Sequence, residues 1–173
     1  MRLLGIGLAI GLALTVQTTL AYLAFGSAVT PNFVLVVVIW AGLTFGPAHG
    51  MLAGTLGGLA QDALAGGVLG VAGFSQTLVG FLAGVIGAQF IMVHALPRMT
   101  VIFLLSLLHI ACFTGIYAMI GLTRFFAPWR PIVLQAGLNA LVGMVIFRLL
   151  DLVPETLGSR GVDNDRLRRR FQR

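Results

Sequence analysis

Residues 46–70 read GPAHGMLAGTLGGLAQDALAGGVLG, and the spacing of small residues in this stretch decides the fold. Gly50, Gly54, Gly58 and Asp62 follow one another at intervals of four, so they form one stripe along a helix. Because glycine has no Cβ atom, such a stripe lets a neighbouring backbone approach closely, which is how helices associate in lipid. The stretch therefore predicts a helix that packs tightly against a neighbour inside a membrane.

Composition places most of the chain in a lipid bilayer. The 173 residues are 58% hydrophobic and 9% charged, whereas a soluble domain carries about 25% charged residues. From Leu3 to Pro97, Asp62 is the only Asp, Glu, Lys or Arg. Nearly a hundred residues could not stay dissolved in water with one charge, so we exclude a soluble protein and expect a multi-pass membrane protein.

Hydropathy predicts six transmembrane helices. Two shorter apolar runs, Pro31 to Phe45 and Ala48 to Ala65, meet at Gly46-Pro47, and Thr30 and Pro31 are suited to the N-cap and first helical position of the first. A re-entrant hairpin is the alternative for this pair, and a cleaved signal peptide is the less favoured alternative for the first helix. Four other segments are long enough to span the bilayer: Leu3 to Phe25, Gly70 to Val93, Met99 to Leu122 and Ile132 to Val153.

The fold class is thus an all-α integral membrane protein, with a compact bundle at 1–153 and a short Arg-rich tail at 154–173. Most arginines would lie on one side of the membrane, and the other side would hold Arg124 and Arg130, so the positive-inside rule makes both termini cytoplasmic. The net charge of +6 follows this topology and forms no basic helix face, which argues against nucleic-acid binding. Anionic lipid or a cytoplasmic partner would attract the tail arginines Arg166, Arg168, Arg169 and Arg170.

Asp62 needs a partner, because a charge inside the membrane is costly to bury. An ion pair with Arg124 or Arg130, or capping of the Gly66-Gly67 turn, would meet this need. A structural or assembly role is favoured over a proton path, since further intramembrane carboxylates are absent from the sequence. The fourth helix repeats the small-residue device with Gly80 and Gly84. Such faces pack the bundle internally, and a surplus face would bind a partner helix.

Other polar residues give no sign of catalysis or of a metal site. His109 could join Ser106, Gln135 and Asn139 in a small interhelical hydrogen-bonded cluster. The three histidines are dispersed and the single Cys112 lies in an apolar run, so we expect no metal, cofactor or disulfide framework. A Ser-His-Asp triad would need an acid near His109, whereas Asp62 would lie at the opposite rim. We expect no enzyme.

The central third of the chain resembles the bacterial rod shape-determining protein MreD family. The Gly-rich helix that ends in Gln-Asp and is followed by a Gly-bracketed turn is the most specific part of the likeness. Asn32 departs from the family, where an acidic residue follows the proline in many relatives. The residues that carry the resemblance are Pro31, Asn32, Gly46, Pro47, Gly50, Gly54, Gly58, Gln61, Asp62, Gly66, Gly70, Gly80 and Phe81.

The resemblance implies a non-enzymatic subunit of the cell-elongation machinery that synthesises peptidoglycan, in the bacterial cytoplasmic (inner) membrane. Its partners would be an MreC-like bitopic protein, a RodA-type glycan polymerase with its class B transpeptidase, and MreB filaments inside the cell. The fold would resemble that of the substrate-binding subunits of energy-coupling-factor vitamin transporters. The alternative hypothesis is that this chain is itself such a subunit. Ala9 and Ala13 would satisfy the Ala-x-x-x-Ala motif of those subunits. A small proton-coupled channel, resting on Asp62 alone, is a third hypothesis.

Overall fold

The computed structural model describes residues 2–23, 30–89, 95–122 and 129–152, and within these ranges the chain is entirely helical apart from turns. Four of the helices are long and apolar enough to cross a bilayer, namely the first, fourth, fifth and sixth. The predicted six-helix, all-α architecture is confirmed. The helices are α1 (Arg2–Leu23), α2 (Phe33–Phe45), α3 (Pro47–Ala65), α4 (Val71–Gln89), α5 (Ala95–Met119) and α6 (Trp129–Leu152).

Helix α2 forms the centre of the bundle, in contact with each of the other five helices. Its sequence, FVLVVVIWAGLTF, is apolar on every side, which is typical of a helix buried all round. Val34 and Val38 pack with α1 and α3, while Leu35 and Ile39 pack with α4, α5 and α6. One short helix therefore joins two hydrophobic clusters, and the longer helices surround it.

Helices α3 and α4 form the most extensive contact of any pair. A Cβ atom at Gly50 would overlap the carbonyl group of Gly80, and one at Gly54 would overlap the carbonyl group of Gln76. At Gly58 a Cβ atom would lie 2.6 Å from the Ala72 carbonyl oxygen. Backbone touches backbone along three turns, so these positions exclude any side chain larger than a hydrogen atom.

The start of α2 differs from the sequence-based prediction. Asn32 is the N-cap, with its Oδ1 accepting a hydrogen bond from the Leu35 N–H at 2.9 Å, and the helix begins at Phe33. Thr30 and Pro31 precede the cap instead of forming it. The prediction was wrong because threonine, followed by proline at the first helical position, is also a good cap signal. Asn32, two residues after Thr30, has an equally suitable side chain, and it is the residue that caps the helix.

Three other helices begin earlier than the apolar pattern indicates. Helix α3 starts at Pro47, after Gly46 with φ 93°, and α5 and α6 include Pro97 and Pro131 in their first turns. Proline is tolerated there because the first N–H groups of a helix have no partner within it. Helix starts were predicted at the first residue of each apolar run. In α3, α5 and α6, however, the residues before that run already belong to the first helical turn.

Helix α1 packs more loosely than the others. It contacts α2 and α3 through one buried face that contains Ile6, Ile10 and Ala13. Most of its other described residues, among them Leu4 and Leu8, are exposed at the surface of the bundle. Such a surface is compatible with lipid, since apolar side chains there meet apolar chains.

We predict that Gly54→Leu destabilises the bundle, whereas Gly11→Leu does not. The leucine at position 54 would push against the α4 backbone, which has no rotamer to change, so the cost is about 3 kcal/mol or more, at the upper end of overpacking effects. Gly11 has no atom within 4 Å of its Cβ position. Unfolding in mixed micelles titrated with dodecyl sulfate measures both, and equal stability of the two variants would refute the close contact.

Candidate functional site

Asp62 caps the start of α4. Its carboxylate is buried and accepts hydrogen bonds from the N–H groups of Gly70, Ala72 and Gly73, at 2.9, 3.0 and 3.3 Å to Oδ2. The first N–H groups of a helix lack partners within it and carry a partial positive charge, so a carboxylate is well suited to this position. Asp62 thus ties the end of α3 to the beginning of α4 across the intervening turn.

The turn itself is made possible by glycines at both ends. Gly66 ends α3 in the left-handed conformation with φ 65°, and Gly70 has φ 99°. Both conformations are strained for residues with a Cβ atom. The Gly-bracketed turn therefore brings the α4 N-terminus back onto Asp62, which explains why the glycines and the carboxylate occur together in the sequence.

The two arginines predicted as ion-pair partners of Asp62 have different outcomes. Arg130 is exposed, and its guanidinium carbon lies 5.6 Å from the centre of the Trp129 ring. Arg124 lies outside the described residues. Within the described ranges, the hydrogen-bond partners of the Asp62 carboxylate are backbone N–H groups alone.

Tyr117 of α5 closes the same turn from the other side. Its hydroxyl accepts a hydrogen bond from the Val68 N–H at 3.1 Å and would lie 2.7 Å from a Cβ atom at Gly67. A row of tilted rings continues along α5, with centroids 4.8 Å apart between Tyr117 and Phe113 and 5.9 Å apart between Phe113 and His109. This row fixes the turn to α5. The sequence analysis did not select Tyr117, because its contact with Val68 joins residues 49 positions apart.

A pair of side-chain contacts supports the α3–α4 interface. Gln76 Nε2 donates to Gln61 Oε1 at 2.6 Å, and the Thr55 and Thr77 hydroxyls lie 2.8 Å apart. The second amide atom of Gln76, Oε1, is buried and has no hydrogen-bond partner in the described part of the chain. Gln61 therefore pairs across α3 and α4, beside the residue that caps α4.

Helix α2 begins deep inside the bundle rather than at its end. Asn32 is buried, and its backbone N–H donates to Asn139 Oδ1 at 2.8 Å, while Asn139 Nδ2 donates to Ser106 Oγ at 3.3 Å. Helix α5 continues eleven residues from Ser106 to Tyr117, about 16 Å at 1.5 Å per residue. Non-helical backbone at such depth is tolerated only where protein groups satisfy it, and Asn139 does this.

The predicted cluster of His109, Ser106, Gln135 and Asn139 is two separate contacts. His109 Nδ1 lies 3.0 Å from Ser75 Oγ and links α5 to α4, whereas Ser106 and Asn139 belong to the Asn32 network. The Gln135 side chain, on α6, forms no hydrogen bond with described residues. Among those residues no group of three His, Cys, Asp or Glu side chains could hold a metal ion.

Gly84 and Gly46, two further positions predicted from the sequence, contact other parts of the bundle. Gly84 meets Pro47 at the α2–α3 turn, where Gly46 donates its N–H to the Gly42 carbonyl oxygen at 2.9 Å. Gly42 and Gly87, which the sequence analysis did not select, have equally close backbone neighbours. The tail arginines Arg166, Arg168, Arg169 and Arg170 lie outside the described residues.

Comparison with known protein families identifies a match. A family model described as rod shape-determining protein MreD matches residues 2–153. No curated protein and no solved structure matches the chain.

We predict that Asp62→Ala lowers the free energy of unfolding by about 1–3 kcal/mol, because it leaves buried N–H donors of α4 without an acceptor. Asp62→Asn recovers part of this loss, since it keeps one carbonyl oxygen. Arg130→Gln is the matched control and should be neutral. A loss at Arg130→Gln as large as that at Asp62→Ala, in the same micelle titration, would favour an ion pair instead of a cap.

We also predict that Asn139→Leu costs about 1–3 kcal/mol, because the Asn32 N–H then has no acceptor inside the bundle. Gln135→Leu, one turn earlier on α6, should have little effect. Hydrogen exchange of the Asn32 amide locates the change, and slow exchange retained in Asn139→Leu would contradict the proposed contact.

Proposed function

The chain belongs to the rod shape-determining protein MreD family, and we propose that it is a non-enzymatic scaffold of the bacterial cell-elongation complex. In this role it binds a bitopic MreC-like protein and helps to assemble a RodA-type glycan polymerase with its class B transpeptidase, next to MreB filaments. The family membership supports a role in rod shape. The scaffold role and the partners are our proposal.

The observation that carries this proposal is that the Asp62 carboxylate is occupied by backbone hydrogen bonds. A transport path would need its carboxylate accessible to an ion or to water, whereas this one is buried and bonded to three backbone N–H groups. The carboxylate thus joins two helices. A rigid α3–α4 hairpin with such a cap is suited to holding other proteins in position.

A scaffold alters the activity of an enzyme only through a difference in affinity for its conformations. The close backbone contacts of Gly50, Gly54 and Gly58 leave the hairpin little freedom to deform. A rigid surface that fits one state of a bound polymerase better than another would favour that state. The proposed regulation therefore requires no chemical group on this chain.

We further propose that both termini face the cytoplasm. The family and the four apolar helices support a membrane location. In this orientation the arginines of the tail lie at the inner surface, where each would contribute about 1 kcal/mol of attraction to anionic lipid.

One observation favours the alternative, a substrate-binding subunit of a vitamin transporter with the corresponding fold. The buried Gln76 Oε1 lacks a partner among the described residues, as an atom awaiting a ligand would. Against it, the polar groups nearby bind one another: Gln61 binds Gln76, and Thr55 contacts Thr77. A ligand pocket needs several convergent polar groups that remain available.

Purification of the tagged protein from native membranes in mild detergent tests both hypotheses. We expect mass spectrometry to identify a single-pass MreC-like protein together with a glycan polymerase and its transpeptidase. Recovery of a transporter scaffold with its ATPases would instead establish the vitamin-transport alternative and overturn the scaffold proposal.

Depletion of the protein should turn rod-shaped cells round, because the elongation complex loses its organisation. Wild type and Gly11→Leu should restore the rods, whereas Gly54→Leu should not, since it disrupts the α3–α4 contact. Light microscopy of cell width and length measures the outcome. Depleted cells that keep their shape would contradict the role in elongation.

A further inference from the structure

We propose that a groove between α5 and α6 receives the transmembrane helix of a single-pass partner. The expected partner helix presents small residues to the groove and carries an acidic residue at the end near Tyr117. This inference rests on the proposed scaffold function and assigns the receiving surface. The residues that line the groove are Leu107, Ile110, Ala111, Thr114, Gly115, Ala118 and Ile132.

The glycine stripes of α3 and α4 are not available to a partner. Their close-packing positions face each other or the α2–α3 turn, and a Cβ atom there would already overlap backbone. The glycines on helix surfaces with open space at the Cβ position lie on α1, α5 and α6, and Gly115 of α5 lines a groove. The structure therefore shifts the candidate surface from the third and fourth helices to the fifth.

The groove is elongated along α5. Its volume is about 370 Å³, and it extends from Leu107 to Ala118, about 16 Å along α5 at 1.5 Å per residue. Ala111 and Gly115 are spaced by four residues, so they form a small-residue pair on one face. Close approach of two backbones in lipid uses this pattern, whereas a lipid chain fills a groove without it.

The groove contains the hydroxyl group of Thr114, which forms no hydrogen bond with the described residues. The hydroxyls of Thr18 and Thr100, by contrast, bond to a carbonyl oxygen of their own helix. In a bilayer an unpaired hydroxyl is unfavourable, and a neighbouring helix with a polar side chain satisfies it. Thr114 thus provides a hydrogen bond that an apolar lipid chain cannot form.

Charge at one end of the groove selects the partner. Trp129 lies three residues before Ile132, on the same face of α6, and the Arg130 guanidinium sits over its ring. Both side chains are exposed, and Arg130 forms no ion pair within the described ranges. A carboxylate on the partner helix at this level would complement the cation, and the contact would fix the direction and depth of the partner.

Helix α1 is the rival surface, because Gly7 and Gly11 also have open space. Leu4, Leu8 and Leu12 are exposed on the same helix. The hydroxyls of the α1 threonines bond within their own helix, so none awaits a partner. The α1 face thus offers no threonine hydroxyl to a partner.

Two matched glycine variants test the assignment with the MreC-like protein co-expressed as the probe. Gly115→Leu fills the groove and should lower recovery of the partner at least tenfold, whereas Gly7→Leu should leave it unchanged. Unfolding in micelles should show wild-type stability for both. Equal recovery with wild type and Gly115→Leu overturns this inference alone, while failure of wild type to recover the partner overturns the proposed function. Loss with Gly7→Leu alone assigns the partner to α1.

Cross-linking identifies the occupant. In a Cys112→Ala background, Thr114→Cys should form a disulfide with a cysteine scanned along the partner helix at every third or fourth position. Leu141→Cys, on the opposite face of α6, should not. Cross-linking of Thr114→Cys to a second copy of this chain, or to nothing, overturns the proposal in favour of a dimer or of lipid. Arg130→Glu should weaken recovery, and unchanged recovery refutes the acidic contact.

Discussion

The satisfaction of backbone hydrogen bonds without water is the constraint on which this bundle depends. A helix that starts or ends inside a membrane exposes N–H and carbonyl groups that lipid cannot satisfy. Helix α2 has 13 residues, about 20 Å, so it cannot cross a core of about 30 Å by itself. Its start must therefore be satisfied inside the protein, and Asn139 on α6 provides the acceptor for Asn32. Asp62 serves the same purpose for α4. Two side chains thus determine where two helices begin.

This constraint also explains the arrangement of the glycines. A short helix leaves space in the bundle unless its neighbours move inward, and inward movement requires positions without side chains. Gly143 of α6 allows the Ile102 side chain to lie against it next to Val36, and Gly57 of α3 does the same for Val34. The α3–α4 contact fills the other side through Gly50 and its neighbours. Close packing around α2 thereby replaces the hydrophobic driving force that lipid removes.

Much of the architecture follows from the sequence, because hydropathy and glycine spacing are local properties. The stripe at Gly50, Gly54 and Gly58 indicates a close backbone contact, but not which helix makes it, since Gly80 and the α1 glycines offer similar patterns. The cap at Asn32 and the acceptor at Asn139 are 107 residues apart. Their contact depends on how deep α2 sits, which no local pattern records. For Asp62, the sequence predicts that the carboxylate needs a partner. It does not say whether an arginine or the three backbone N–H groups fill this role, because that choice depends on how the turn folds.

Which polar groups have hydrogen-bond partners inside the protein, and which do not, bears on the function. Where every polar group of a membrane protein is paired internally, its surface has no preference among neighbours beyond shape. The groove at Thr114 offers more than shape, since it combines concavity, a hydroxyl without a partner among the described residues and a cation at one end. The α3–α4 hairpin opposes deformation, while α5 carries this surface and also fixes the α3–α4 turn through Tyr117. A partner bound in the groove would therefore contact a rigid bundle. Its position relative to that body, rather than any motion within it, would transmit the effect of assembly.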